Sequence, residues 1–227
     1  MLLLLAAASL PGSALFSLRD IVVEGTQRLS PDAVRAASGL EPGLRSIFTI
    51  NAREVAERLL RHPWIAAATV RPRPPHAMLI RIRERTPVAA TPAAPGFALL
   101  DGAGRVLEVR EVRPPLVLVS ERGRPLPWVA AGEEVPSVAV RMALDILDQM
   151  PGSLRSLVAH LQVTATREVF LYTVDGLEVR AGPVRGLRQR LADAPEILQV
   201  VRAQGTPLEY VDLSLPDQVI VKPRAGP

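Results

Sequence analysis

The chain contains no cysteine, which removes disulfides, thiol nucleophiles and cysteine-ligated metals and leaves the redox compartment open. Aromatic residues make up only 4% of its 227 positions, so Leu, Val and Ala must supply the core. Lysine is nearly missing too: of 27 Lys and Arg residues, Lys222 is the single lysine. The arginines form no basic stripe with interleaved aromatics, so the net charge of +4 gives no case for nucleic acid. The common signatures of catalysis are also wanting. His62, His76 and His160 lie far apart, and no phosphate-binding glycine loop or nucleophile elbow sits between a strand and a helix. Gly102-Ala103-Gly104 reads as a turn, Asp145 and Asp148 as solvated helix charges, and Glu133-Glu134 as carboxylates ahead of a helix start. Asp212, inside an apolar strand, asks for a partner, most simply a salt bridge. The expectation is therefore no enzyme, no cofactor, no metal, no nucleic acid and no small-molecule substrate.

What is present is a folded chain: 48% hydrophobic residues, with 22 prolines scattered as loop punctuation. Met1 to Leu18, MLLLLAAASLPGSALFSL, carries no charged side chain. Residues 2–18 as a helix span roughly 25 Å at about 1.5 Å per residue, short of a hydrocarbon core of roughly 30 Å. Three readings stay open: a membrane anchor whose basic beginning is lacking, a cleaved export signal with a poor site at Gly12-Ser13-Ala14, and a buried helix. The anchor is the expectation adopted for 1–17, truncated at its start, with the remainder outside the cytoplasm.

The remainder alternates strands and helices. Ser17 to Glu24 reads as a strand ended by Gly25. Ser30 and Pro31 open a short helix that Gly39 stops. Asn51, three residues before Glu54, opens a second, with Val55, Leu59 and Leu60 as its buried stripe. Pro63 ends it, and Trp64 is expected to cap the core where helix meets strand. Ile65 to Val70 reads as a strand and Arg71 to His76 as a proline-stiffened turn. In Ala77 to Glu84, Met78, Ile80 and Ile82 face one way while Leu79, Arg81 and Arg83 face the other. The order is β-α-α-β-β over 18–86. From Phe97 strands dominate: a hairpin with Asp101-Gly102 at its tip, then Leu116 to Val119, a helix over Ser137 to Met150, and strands at 157–165, 168–174 and 177–181. A helix over Val184 to Ala203 is expected to kink or split at Pro195. Leu208 to Leu213 and Gln218 to Lys222 are the final strands. The fold class is α+β in two domains, 18–86 and 87–227, the second β-rich with two helices.

Several phrases carry a resemblance: LRDIVVEGTQRLSPDAV, HPWIAAATVRPRPPHAMLIRIRERTPVA, LLDGAGRVLE, GLEVRAGPVRGLRQRL and LEYVDLSLPDQVIV. In this order, from Phe16 onward, the chain resembles the FtsQ/DivIB bacterial cell-division proteins, and 18–86 resembles their POTRA domain. The resemblance implies a single-pass protein of the cytoplasmic membrane at the division septum. It implies a scaffold linking early to late division proteins, upstream of septal peptidoglycan synthesis, with FtsB- and FtsL-type partners held by the second domain. It also implies that partner binding involves the last strands and the helix beside them. Here those are Tyr210, Leu213, Leu215, Val219, Ile220, Val221 and Lys222, with Arg188 and Arg190 as charge contacts. A sheet that ends in a late strand has an unpaired edge able to accept a strand from another chain. The alternative is another POTRA-bearing scaffold of envelope assembly or secretion.

Overall fold

A computed structural model describes residues 14–43, 45–124, 126–215 and 218–224. The chain divides into two compact units, Met1–Thr86 and Pro87–Pro227. Among the described residues no helix is long and apolar enough to cross a membrane, and the expected anchor over 1–17 falls largely outside them.

In the first unit a short 3-10 turn, Ala14–Phe16, precedes β1 (Asp20–Glu24), α1 (Pro31–Ser38), α2 (Ala52–Leu59), β2 (Ile65–Arg73) and β3 (Ala77–Glu84). The sheet order is β1-β3-β2, with β1 parallel and β2 antiparallel to β3. Both helices begin as their caps dictate. Ser30 Oγ accepts from Ala33 N at 3.1 Å, and Asn51 Oδ1 accepts from Glu54 N at 3.3 Å, each satisfying an orphan amide of the first turn. Val34, Val55 and Leu59 then meet Met78, Ile80 and Ile82 in the core. Leu60 is not in the stripe: it is exposed, because it already belongs to the turn after α2. Trp64 is buried, with the Arg28 guanidinium 4.6 Å over its ring. β1 is shorter than expected because Ser17 and Leu18 pair with the loop before α2 instead, Leu18 N donating to Arg45 O at 2.9 Å. β2 is longer, running through Pro72 to Arg73. Proline is tolerated there because β2 is an edge strand, where a missing N–H need not break the ladder.

Two features lock this unit. Gly25 has φ +88, and a Cβ there would lie 2.1 Å from Ile82 O, so only glycine lets the chain turn against β3. Glu84, at the end of β3, accepts from the amides of Gln27, Arg28 and Leu29 at 2.8–3.2 Å, closing the turn that follows β1.

The second unit holds β4 (Ala89–Ala93), β5 (Gly96–Leu100), β6 (Val106–Arg110), β7 (Leu118–Glu121), α3 (Val138–Gln149), α4 (Gly152–Arg155), β8 (Val158–Val163), β9 (Glu168–Thr173), β10 (Glu178–Pro183), α5 (Leu187–Ala203), β11 (Leu208–Asp212) and β12 (Ile220–Pro223). They form one nine-stranded sheet in the order β12-β11-β10-β9-β8-β7-β4-β5-β6. α3 links β7 to its parallel neighbour β8, and α5 links β10 to its parallel neighbour β11. These four strands point the same way and both connections step in the same direction across the sheet, so right-handed crossovers place both helices on one face. Val119, Leu161, Leu171, Val179 and Val211 are buried with Ala143, Leu147, Leu191 and Leu198 in the resulting core.

Pro195 does not split α5, which runs unbroken for 17 residues. An interior proline costs about 3 kcal/mol, whereas burying an apolar side chain gains about 1.5–3 kcal/mol. Leu187, Leu191, Ala194, Leu198 and Val201 are all buried, so packing outweighs the lost hydrogen bond. The strand expected at 116–119 lies at 118–121, and β4 and α4 are additions to the expected elements.

Burial pushes the Glu84 carboxyl up, but the Gln27, Leu29 and Arg28 amides and the Arg28 charge outweigh it and hold the group below the usual carboxylate range. A depressed folded pKa stabilises the fold above the ordinary carboxylate value and loses that stabilisation as pH falls through the folded value. Urea unfolding of the chain and of Glu84→Gln is expected to differ most at neutral pH, with the first unit weaker in the variant, and to converge in acid.

Candidate partner interface

The sequence of β11, LEYVD, alternates exposure as a strand over a one-sided core should, with Val211 buried between half-buried Tyr210 and Asp212. β11 pairs in parallel with β10, Glu178 opposite Tyr210 and Arg180 opposite Asp212. β12 then folds back antiparallel to β11, Ile220 opposite Asp212 and Lys222 opposite Tyr210. The close approach of the chain after β11 to β10 depends on a bulge in β10 at Gly182, with φ +74. A Cβ there would lie 2.7 Å from Ser214 Cβ. Asp212 is satisfied by the backbone rather than by the salt bridge expected of it, its Oδ1 accepting from Ser214 N at 2.8 Å.

β12 is the outermost strand, and the sheet's two edges are finished differently. At the far edge a loop closes the start of β6: Val106 N donates to Glu133 O at 2.8 Å, Gly132 N donates to Val106 O at 2.7 Å, and Arg105 bridges Glu134. No described residue pairs with the outer side of β12. All four residues of this strand are exposed, so the helix layer does not reach it. Leu215 (47%), Val219 (46%), Ile220 (43%) and Val221 (39%) form an exposed apolar run along that edge.

The other expected contact residues separate by role. Tyr210 is held under the Arg180 guanidinium, 3.6 Å from its ring centroid, with Lys222 Nζ at 5.7 Å and bonded to Glu209 Oε2 at 2.8 Å. Leu213 is not at the surface. It is 4% exposed in the core, its amide donating to Arg180 O at 2.8 Å, because the alternation of β11 carries it inward. Arg190 is half-buried and spends its guanidinium on the Pro183 and Arg185 carbonyls, fixing the loop before α5; burial lowers its pKa. Arg188 is exposed at the start of the same helix.

The face opposite the helices carries its own network. Burial pushes the Glu178 carboxyl up, but Arg180 at 2.9 Å, the Tyr172 hydroxyl at 2.9 Å and Arg122 at 3.5 Å outweigh it and hold it below the usual range. Arg122 lies 3.7 Å over the Phe170 ring. His160 Nε2 meets Ser120 Oγ at 2.8 Å, a nucleophile-and-base pairing at first sight. Burial and then the Arg113 charge lower its pKa to about 4. Gln162 Nε2 donates to the same Ser120 oxygen at 3.3 Å, and the Tyr172 ring lies 5.9 Å from the imidazole. No described carboxylate orients the imidazole, and the contact ties β7 to β8.

One feature escaped the sequence. Arg124, Arg167, Arg185 and Arg188 are exposed and pair with no described carboxylate, and topology brings them to a single end of the sheet. They follow β7, turn from β8 into β9, follow β10 and open α5. Arg167 has φ +64, a conformation uncommon for a residue with a side chain. Arg185 and Arg188 are neighbours around the start of α5, but Arg124 and Arg167 sit in separate loops, so only the strand order reveals the group. A groove lined by Leu126, Pro127, Pro136, Val138, Met142 and Val163 lies at the same end, beside the start of α3.

Comparison with known proteins follows this anatomy. Residues 16–85 match the family "POTRA domain, FtsQ-type", and residues 90–214 match "Cell division protein FtsQ/DivIB, C-terminal". The second match stops before Leu215 and β12. Cell division protein FtsQ of Syntrophotalea carbinolica is 28% identical over 97% of this chain and 79% of its own length. That of Anaeromyxobacter sp. is 29% identical over 96% and 79%. The extracytoplasmic domain of DivIB from Geobacillus stearothermophilus matches 53% of this chain and 96% of its own at 20% identity, with a TM-score of 0.36.

The Gly182 bulge generates a test. Gly182→Val is expected to push Ser214 outward and break the Leu213 amide bond to Arg180, read as faster hydrogen exchange at Leu213 and a lower unfolding midpoint of the second unit.

Proposed function

This chain belongs to the FtsQ/DivIB family of bacterial cell-division proteins, and from that premise we propose that it is a divisome scaffold acting by strand addition at β12. A partner segment pairs with the open side of that strand through main-chain hydrogen bonds, and its apolar side chains cover Val219, Ile220 and Val221. The partners are FtsB- and FtsL-type proteins, and the outcome is a link between early and late components upstream of septal peptidoglycan synthesis. The apolar N-terminal run attaches the chain to the cytoplasmic membrane, with the bulk of it extracytoplasmic at the septum. No bond is made or broken in this role. The observation that carries it is the outer side of β12, which no described residue pairs, beside exposed aliphatic residues, while a loop closes the start of β6 at the other edge. The arginines at the adjoining end of the sheet fit acidic residues flanking the added strand. The alternative, a POTRA-bearing assembly or secretion scaffold, is disfavoured by the second family match over 90–214.

In an edge strand successive amides alternate between the neighbour and the open side. Of Ile220→Pro and Val221→Pro, one therefore breaks the β11–β12 ladder and the other removes an outward amide. The variant that keeps the wild-type unfolding midpoint is expected to lose about tenfold or more in partner affinity, equal to about 1.4 kcal/mol. Equal binding by that variant and the parent chain in a pull-down would refute strand addition.

A further inference from the structure

The first unit exposes an apolar patch at the end of its sheet where the chain comes in, opposite the end from which it leaves. β1 and β3 run parallel, so Asp20 and Ala77 lie at the incoming end and Glu84 at the outgoing one. At the incoming end Leu15 is 68% exposed and Phe48 is 47% exposed. The Phe48 ring is not loose. It packs edge-on against Phe16 with centroids 5.1 Å apart, and Ile47 N donates to Phe16 O at 2.8 Å, so the loop before α2 is fastened to the incoming chain. An aromatic ring is thus held outward on a braced backbone rather than folded into the core.

The surroundings say what it faces. Arg19 and Arg45 are exposed beside the patch, and Arg73 is exposed at the same end of the sheet, opposite Ala77. Two carboxylates share this end: Asp20, which is paired with His76 at 3.2 Å, and exposed Glu41. The segment leading directly into the patch, Met1 to Gly12, contains no charged residue and four consecutive leucines. An aromatic and a leucine flanked by arginines, continuous with an uncharged leucine-rich run, has the chemistry of a lipid–water interface. There rings lie at headgroup depth and cations meet lipid phosphates.

We propose that this end of the first unit rests on an anionic bilayer, with Leu15 and Phe48 entering the interfacial layer and Arg19, Arg45 and Arg73 against the headgroups. The contact holds the unit at the membrane surface instead of leaving it free on a tether. The inference rests on the membrane attachment of the N-terminal run proposed above.

Because the chain has no cysteine, single-site labelling tests it directly. Full-length Phe48→Cys, Arg45→Cys, Arg61→Cys and Leu5→Cys, each carrying an environment-sensitive fluorophore, are reconstituted with vesicles of phosphatidylethanolamine and phosphatidylglycerol. Quenching is read with nitroxide-bearing lipid and with aqueous iodide. Position 45 repeats the measurement without touching the Phe16–Phe48 contact, and position 61 lies after α2 towards the outgoing end. Labels at 48 and 45 are expected to be quenched by lipid nitroxide several-fold more than the label at 61, and to be shielded from iodide. Lipid quenching at 5 with labels at 48 and 45 behaving like 61 overturns the proposal while attachment stands. Labels at 48 and 45 shielded from both quenchers mean that protein covers the patch, which also overturns it. No lipid quenching even at 5 removes the attachment on which it rests.

Discussion

A β-sheet made from one open chain has two edges, and each edge presents a row of backbone amides and carbonyls with no strand to pair them. That constraint organises this molecule. In the first unit the outer side of β1 is blunted by Arg35, whose Nε donates to the Ile21 carbonyl at 3.0 Å. The opposite edge, β2, carries Pro72, which has no amide to offer. In the second unit the loop at Gly132 to Glu134 closes the start of β6 at Val106. Three edges are thus guarded by three different devices, a side chain, a proline and a loop. Against them, β12 carries two β-branched side chains, a single cation at Lys222, and Pro223 only at its end. β12 is short and ends in Lys222 and Pro223, and among the described residues nothing pairs with its outer side.

How far this was legible in the residues follows from where each signal resides. Local signals held: Ser30 and Asn51 cap their helices, and Asp101-Gly102 turns its hairpin. The alternation from Met78 to Arg83 gives the central strand of the first sheet. What failed is non-local. Ala89 to Ala93, small and interrupted by Pro92, carries no strand signal of its own and is a strand only because β5 pairs along it and β7 beside it. Pro195 signals a broken helix, and five buried side chains overrule it. Leu213 and Leu215 have the same strand parity, and Leu213 is buried as the inward continuation of Val211 whereas Leu215 lies three residues past the end of β11 and is exposed. Arg188 can be named from the sequence, but its grouping with Arg124 and Arg167 has no sequence period, since only the strand order makes those segments neighbours.

The geometry of β12 also explains why pairing and ordering belong together. The strand is four residues long and hydrogen-bonded on one side, and such a strand gains little from its neighbour relative to the backbone entropy of holding it straight. Val221 opposite the buried Val211 lies on the helix side of the sheet, yet it stays exposed because α5 stops short of covering it. Ile220 lies on the other side, equally uncovered. A strand added beyond β12, as proposed, would complete the ladder and shield aliphatic groups on both faces at once, so main-chain and apolar contributions would arrive together. Strand addition by itself reads backbone and is tolerant of sequence. Under the proposed strand addition, discrimination between partners would fall to side chains outside the ladder, such as the arginines at the adjoining end of the sheet.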